Sequence, residues 1–142
     1  MENYSYHLST NKSAREIFDL LLNIKTWWSG IYQETITGKS RKINEEFTFS
    51  AGKGMHFSKQ KLVEIIQNKK LVWEVTESDL SFLENPKEWE HTKLIFDIVE
   101  SKDKTEIIFT HEGLEPKIEC YGDCSTAWTQ YLQNLDAKLK EG

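Results

Sequence analysis

Proline, cysteine and methionine each occur only twice in the 142 residues. So little proline, beside 38% apolar residues, excludes a Pro-rich disordered chain. No apolar run approaches the roughly 20 residues of a membrane-spanning helix, so no membrane span is expected. Residues 1–10 are polar and strand-like and do not read as a secretory leader. Basic runs of five or more are absent. Lys+Arg 18 against Asp+Glu 23 leave a net charge of -5, which argues against a nucleic-acid surface. G-x-S-x-G, H-E-x-x-H and P-loop motifs are missing, and no two carboxylates stand at a recognisable catalytic spacing. The sequence therefore assigns no catalytic residue, no metal and no cofactor. The two cysteines, Cys120 and Cys124, read as reduced thiols of a cytoplasmic protein. A metal pair completed by His111 is the alternative, without the C-x-x-C spacing that would support it.

What is present is an aromatic-rich chain with five Trp, seven Phe and five Tyr. Its most informative pattern comes last. Cys124, Ala127, Trp128, Tyr131, Leu132, Leu135 and Leu139 stand at offsets 0, 3, 4, 7, 8, 11 and 15, one buried face of one long helix. Upstream, Ser13 and Glu16 form a capping box, and Ala14, Ile17, Phe18 and Leu21 follow at helical spacing, predicting a helix over Ala14–Leu22. Ile24–Trp28 adds a further turn before Ser29-Gly30 breaks it.

From there the period is two. Strands are expected over Asn3–Leu8, Ile31–Thr37, Glu46–Ser50, Met55–Ile66, Leu71–Glu77, Thr92–Glu100 and Thr105–Glu112. Turns fall at Gly38–Lys42, Gly52-Lys53-Gly54, Gln67–Lys70 and Ser101–Lys104. Ser78–Trp89 has no period and reads as the longest irregular connection. Consecutive hairpins ending in one amphipathic helix imply a single α+β domain over residues 1–142, its bent antiparallel sheet curled around that helix.

This order resembles the START-like (SRPBCC) superfamily and its helix-grip fold. More narrowly it resembles the bacterial relatives of the activator of heat-shock protein 90 ATPase homologue family. The residues that carry the likeness are Thr26-Trp27-Trp28, Glu46–Phe49, Lys61–Ile65 and Lys70–Val75. The strongest piece is Thr105–Leu114, followed by Pro116, Glu119–Tyr121, Cys124 and Ala127-Trp128-x-x-Tyr131-Leu132-x-x-Leu135. His91 departs from it, since a small residue would be expected before Thr92. The resemblance implies the fold and a cavity between helix and sheet, without one shared reaction: members include binding proteins, cyclases and co-chaperone domains.

The expected lining of that cavity is Phe47, Phe49, Met55, Phe57, Trp73, Phe96, Ile98, Phe109, His111, Trp128, Tyr131 and Leu132. All five tryptophans, Trp27, Trp28, Trp73, Trp89 and Trp128, are candidate walls as well as core fillers. His111 shares a strand face with Ile107 and Phe109 and is the one polar candidate on that strand face; Tyr131 brings a hydroxyl into the apolar stripe. The function these features support is binding of a small hydrophobic ligand by a cytoplasmic protein. Two alternatives stand beside it: a module that modulates a heat-shock protein 90-type chaperone, and a cyclase- or hydratase-type enzyme with His111 and Tyr131 as acid and base.

Overall fold

The computed structural model describes residues 3–29, 31–52, 55–81, 83–115 and 121–140. Strand β1 (Tyr4–Thr10) leads to helices α1 (Ala14–Leu22) and α2 (Ile24–Trp27). Strands β2 (Thr35–Gly38), β3 (Glu46–Ala51), β4 (His56–Ile66), β5 (Lys70–Leu80), β6 (Lys93–Glu100) and β7 (Thr105–Glu112) follow, and α3 (Tyr121–Leu139) closes the order. The capping box forms as read: the Ser13 side chain accepts from the Glu16 N–H, and the Glu16 carboxylate accepts from the Ser13 N–H.

All seven strands form one antiparallel sheet in the order β1-β7-β6-β5-β4-β3-β2. The chain thus visits one edge, crosses through α1 and α2 to the other edge, and returns strand by strand. Two register irregularities interrupt β4 and β5, at Lys59/Gln60 and at Leu62/Glu64. Bulges bend a strand and raise its twist, so these two let the sheet curve around a helix. They also switch parity. Leu71, Trp73 and Val75 are buried on alternate positions of β5, and beyond the first irregularity the buried positions become Ser78 and Leu80. That switch is why β5 runs three residues past the expected end: a strand whose inward face changes parity shows no period of two.

Another boundary moves, at the start of β2, and β1 runs on to Thr10 past the expected Leu8. The strand expected from Ile31 starts at Thr35, because the Glu34 carboxylate accepts the N–H groups of Ile31 (3.1 Å) and Tyr32 (2.8 Å) and Gln33 takes a left-handed φ of 56°. The turn expected at Gly52-Lys53-Gly54 is described at Gly52 alone, with φ 60°; Lys53 and Gly54 lie outside the described residues.

Helix α3 buries Cys124, Trp128, Tyr131, Leu132, Leu135 and Leu139. It lies against β1 and α2, fixed at its sides by Tyr4 Oη and Thr129 Oγ1 at 2.6 Å and by Asn134 Nδ2 donating to the Trp27 carbonyl at 2.9 Å. Among the described residues no helix is long and apolar enough to cross a membrane.

Leu132 is fully buried in the stripe. Leu132→Ala should therefore lose about 2–5 kcal/mol of unfolding free energy, from transfer and residual cavity together. Urea titration of both proteins measures this; a loss under 1 kcal/mol would mean that the stripe is not held against the sheet.

Candidate functional site

The site is built around Trp128. An indole N–H can only donate, and Trp128 Nε1 donates to His111 Nδ1 at 3.0 Å. Nδ1 therefore carries no proton, and the neutral imidazole holds its proton on Nε2, 2.8 Å from Thr92 Oγ1. The Thr92 hydroxyl in turn donates to the Trp89 carbonyl at 2.6 Å. One chain of donors thus joins α3, β7, the residue before β6 and the β5–β6 connection. Gly113 makes room for it. Its φ is 104°, and a Cβ there would stand 2.6 Å from Thr92 Cγ2.

Above this floor the chain leaves a cavity of about 380 Å³, within the range of small-molecule sites. Helix α3 lines it with Asp123, Cys124, Thr126, Ala127, Trp128 and Tyr131; β3, β4 and their connection with Phe49, Ala51, Gly52, Met55 and His56. Trp28 and Tyr32 come from the α2–β2 connection and Trp89 from the β5–β6 connection. Small residues at Ala51, Gly52, Cys124 and Ala127 stand on elements that face one another, and packing at interior density fails between them. Trp28, Phe49, Trp89, Trp128 and Tyr131 are buried, forming the inner wall; Tyr32 (40% exposed), Met55 (52% exposed), Asp123 and Thr126 form the rim.

The inner wall is a continuous aromatic surface. Trp28 stacks on Phe49 (4.8 Å) and lies tilted against Trp128 (5.0 Å); Trp89 stacks on Trp128 at 6.1 Å, and His56 meets Trp89 edge-on at 4.8 Å. Tyr131 donates its hydroxyl to Glu34 Oε2 at 2.5 Å, and burial, that bond and the Glu34 charge all raise its pKa. Burial lowers the pKa of His56 to about 4. That of His111 falls to about 3, through burial first and the neighbouring His56 second. Both imidazoles are neutral at pH 7.

Of the twelve expected lining residues, Phe49, Met55, Trp128 and Tyr131 line the cavity. Phe47, Trp73, Phe96, Ile98, Phe109 and Leu132 are buried core residues outside its lining. His111 is fully buried with both ring nitrogens hydrogen-bonded, so it supports the wall from behind. Phe57 lies on the outer face. Cross-strand partners share a face, and the inward Phe47 and Phe49 pair with Gln60 and Ser58, which puts the even positions of β4 as far as Leu62 inside. Lys59 and Lys61 share the parity of Phe57 and would have signalled this, as they would have signalled the inward His56. Tyr32, Ala51, Gly52, His56, Asp123, Cys124, Thr126 and Ala127 were not anticipated. Cys124 carries a disulfide where a reduced thiol was expected, the expectation having rested on compartment and not on geometry; Cys120 lies outside the described residues. No group of metal-ligating side chains occurs among the described residues.

The family described as Activator of Hsp90 ATPase homolog 1-like protein matches residues 13–140. The chain belongs to this family. No curated protein matches the chain. Among solved structures, the Aha1 dimer from Colwellia psychrerythraea is similar over 100% of this chain and 98% of its own, at 22% identity and a TM-score of 0.77. A structural-genomics protein from Chromobacterium violaceum covers 100% of both chains at 11% identity and 0.72. A protein of the dynemicin biosynthetic locus matches all of this chain with 48% of its own, at 10% identity and 0.70. At these identities the likeness is one of fold. Within the Activator of Hsp90 ATPase homolog 1-like fold, His91 holds a left-handed φ of 70°, the conformation glycine takes most easily; this accounts for the small residue expected before Thr92.

The fully buried His111 and the half-buried His56 on the cavity wall, both with pKa lowered by desolvation, set a pH dependence. The unfolded chain takes up protons near pH 6.5 that the folded chain refuses, so stability is full above that value. It is lost as the pH falls toward the folded values of about 4 and about 3. Each group contributes a slope of up to about 1.4 kcal/mol per pH unit. Urea midpoints should therefore drop between pH 7 and 5, and His56→Asn should remove about half of the slope. A midpoint indifferent to pH over that window would contradict two imidazoles held neutral by desolvation.

Proposed function

We propose that this protein binds a small hydrophobic ligand in the cavity between α3 and the β3–β4 end of the sheet. The observation that carries the reading is a space of about 380 Å³ walled by the buried rings of Trp28, Phe49, Trp89, Trp128 and Tyr131 and open at a partly exposed rim. A cavity of this size forfeits packing that larger residues at Ala51 or Ala127 would supply, and occupancy by a guest accounts for its retention. The cytoplasm is the compartment of this reading, with the disulfide at Cys124 as its counterweight, because reducing compartments keep thiols unpaired.

An enzyme reading with His111 as acid or base has little to rest on. The imidazole is fully buried and held neutral, and both nitrogens are engaged by Trp128 and Thr92. Tyr131, its phenol pushed up in pKa and bonded to Glu34, is a poor proton donor. The chaperone reading draws support from the family description and from the Aha1 name of the Colwellia psychrerythraea protein.

Thermal melting with a panel of lipids and aromatic metabolites tests the ligand. A guest at a hundred times its Kd should stabilise the fold by about 2.7 kcal/mol, and Ala127→Trp, which fills the space, should melt cooperatively and lose that response. No shift with any compound would end the reading. For the chaperone alternative, a pull-down with purified heat-shock protein 90 should retain this protein and raise ATP turnover; recovery of nothing would remove it.

A further inference from the structure

Two donors of the cavity wall are spent inside the protein: the Trp128 N–H goes to His111 and the Tyr131 O–H to Glu34. Trp89 differs. It lines the cavity, it is only 2% exposed, and among the described residues its Nε1–H has no acceptor. An indole nitrogen can only donate, and a buried one usually finds a partner. The Trp89 ring is not free to turn in search of one. It stacks on Trp128 at 6.1 Å, and the imidazoles of His56 and His111 stand perpendicular to it at 4.8 and 4.7 Å. Its carbonyl accepts both the N–H (3.1 Å) and the O–H (2.6 Å) of Thr92. The open space that this fixed ring borders is the cavity.

The wall is also polar at that place. His56 lines the cavity beside Trp89, and Ser58 and Gln60 follow on the inner face of β4, fully buried, with Gln60 Nε2 donating to Ser58 Oγ. We propose that the guest carries a neutral hydrogen-bond acceptor, of the ketone or ester carbonyl class, which takes the Trp89 Nε1–H beside His56 while its apolar body lies on the rings of Trp28, Phe49 and Trp128. This rests on the ligand-binding reading above and adds the chemical class and the orientation. The acceptor is neutral because a carboxylate there would give up its hydration for a single N–H; the same burial holds the neighbouring His56 uncharged. A donor already fixed in place costs nothing further to order when the guest arrives.

The test compares three probes of nearly one shape: 2-acetylnaphthalene, 2-isopropenylnaphthalene and 2-naphthoate, which present a carbonyl, a methylene and a carboxylate at one position. The indole N–H resonances of the nitrogen-15-labelled protein read both occupancy and contact, and Trp89→Phe, which keeps a ring and removes the donor, assigns the resonance of Trp89. The ketone should move that resonance downfield, and the alkene should not. Trp89→Phe should weaken the ketone by about threefold to tenfold beyond any loss for the alkene, the range of one hydrogen bond. Should that variant fail to fold, the resonance in the parent protein, assigned through its proximity to Trp128, decides the matter. A ketone that leaves the Trp89 N–H where the alkene leaves it, or a loss equal for both probes, would overturn the acceptor and keep the cavity. Tighter binding of 2-naphthoate than of the ketone would overturn its neutrality. Failure of all three probes to bind would count against the ligand reading itself.

Discussion

The hydrogen bond from Trp128 to His111 is the constraint on which the rest of the structure depends. It is short in space and long in sequence, 3.0 Å across 17 residues, and it lies wholly in the interior. The indole can only donate, so it dictates the tautomer of His111; the tautomer dictates that Thr92 is met by an N–H; and Thr92 is then free to give its proton to the Trp89 carbonyl. Each link satisfies a buried polar group that would otherwise cost about 1–3 kcal/mol. The result is geometric as much as energetic. Trp128 and Trp89 face each other in a stack inclined by 4°, and the two rings hold the first half of α3 at a fixed height above the sheet.

That height is what keeps a cavity open between α3 and the sheet. In the second half of α3, Leu132, Leu135 and Leu139 are buried in the main hydrophobic core. In the first half the helix presents Cys124 and Ala127 to a sheet that answers with Ala51 and Gly52. Three small side chains and a glycine across one gap cannot meet, and the tryptophans to either side prevent the helix from sinking to close it. The bend of the sheet, favoured by the bulges in β4 and β5, lets the strands spread beneath this half of the helix.

The parts of this arrangement that were legible in the sequence are those written as period. The stripe from Cys124 to Leu139 and the capped helix from Ala14 to Leu22 appear where their spacing placed them. So do the hairpins, except where a bulge or a carboxylate-held turn resets the count, as at Thr76 in β5 and at Ile31–Glu34. The cavity was harder, for a physical reason. Large inward-facing rings attract attention, yet Phe47, Phe96 and Phe109 fill the core because they are large, and the space exists where residues are small. His111 was correctly placed on the inner face of β7 and incorrectly given to the cavity. Periodicity gives a side chain's direction and not what stands in front of it, which here is Trp128. Phe57 erred the other way: its size suggested an inward position, while the two lysines of the same parity required an outward one.

Fold and site therefore rest on different residues. The grip of this chain rests on an apolar stripe, a bent sheet and the Trp128–His111–Thr92 chain, and the fold itself is compatible with much sequence change, as structures at 22% and 11% identity with nearly full coverage illustrate. The cavity depends instead on four small positions and on a rim of Tyr32, Met55, Asp123 and Thr126. None of these contributes a side chain to the main core except Ala51 and Cys124, so substitution there would alter what enters while leaving the fold intact. A shared architecture thus fixes the wall of the cavity more tightly than its rim, whose described residues Tyr32, Met55, Asp123 and Thr126 are free to vary without disturbing the core.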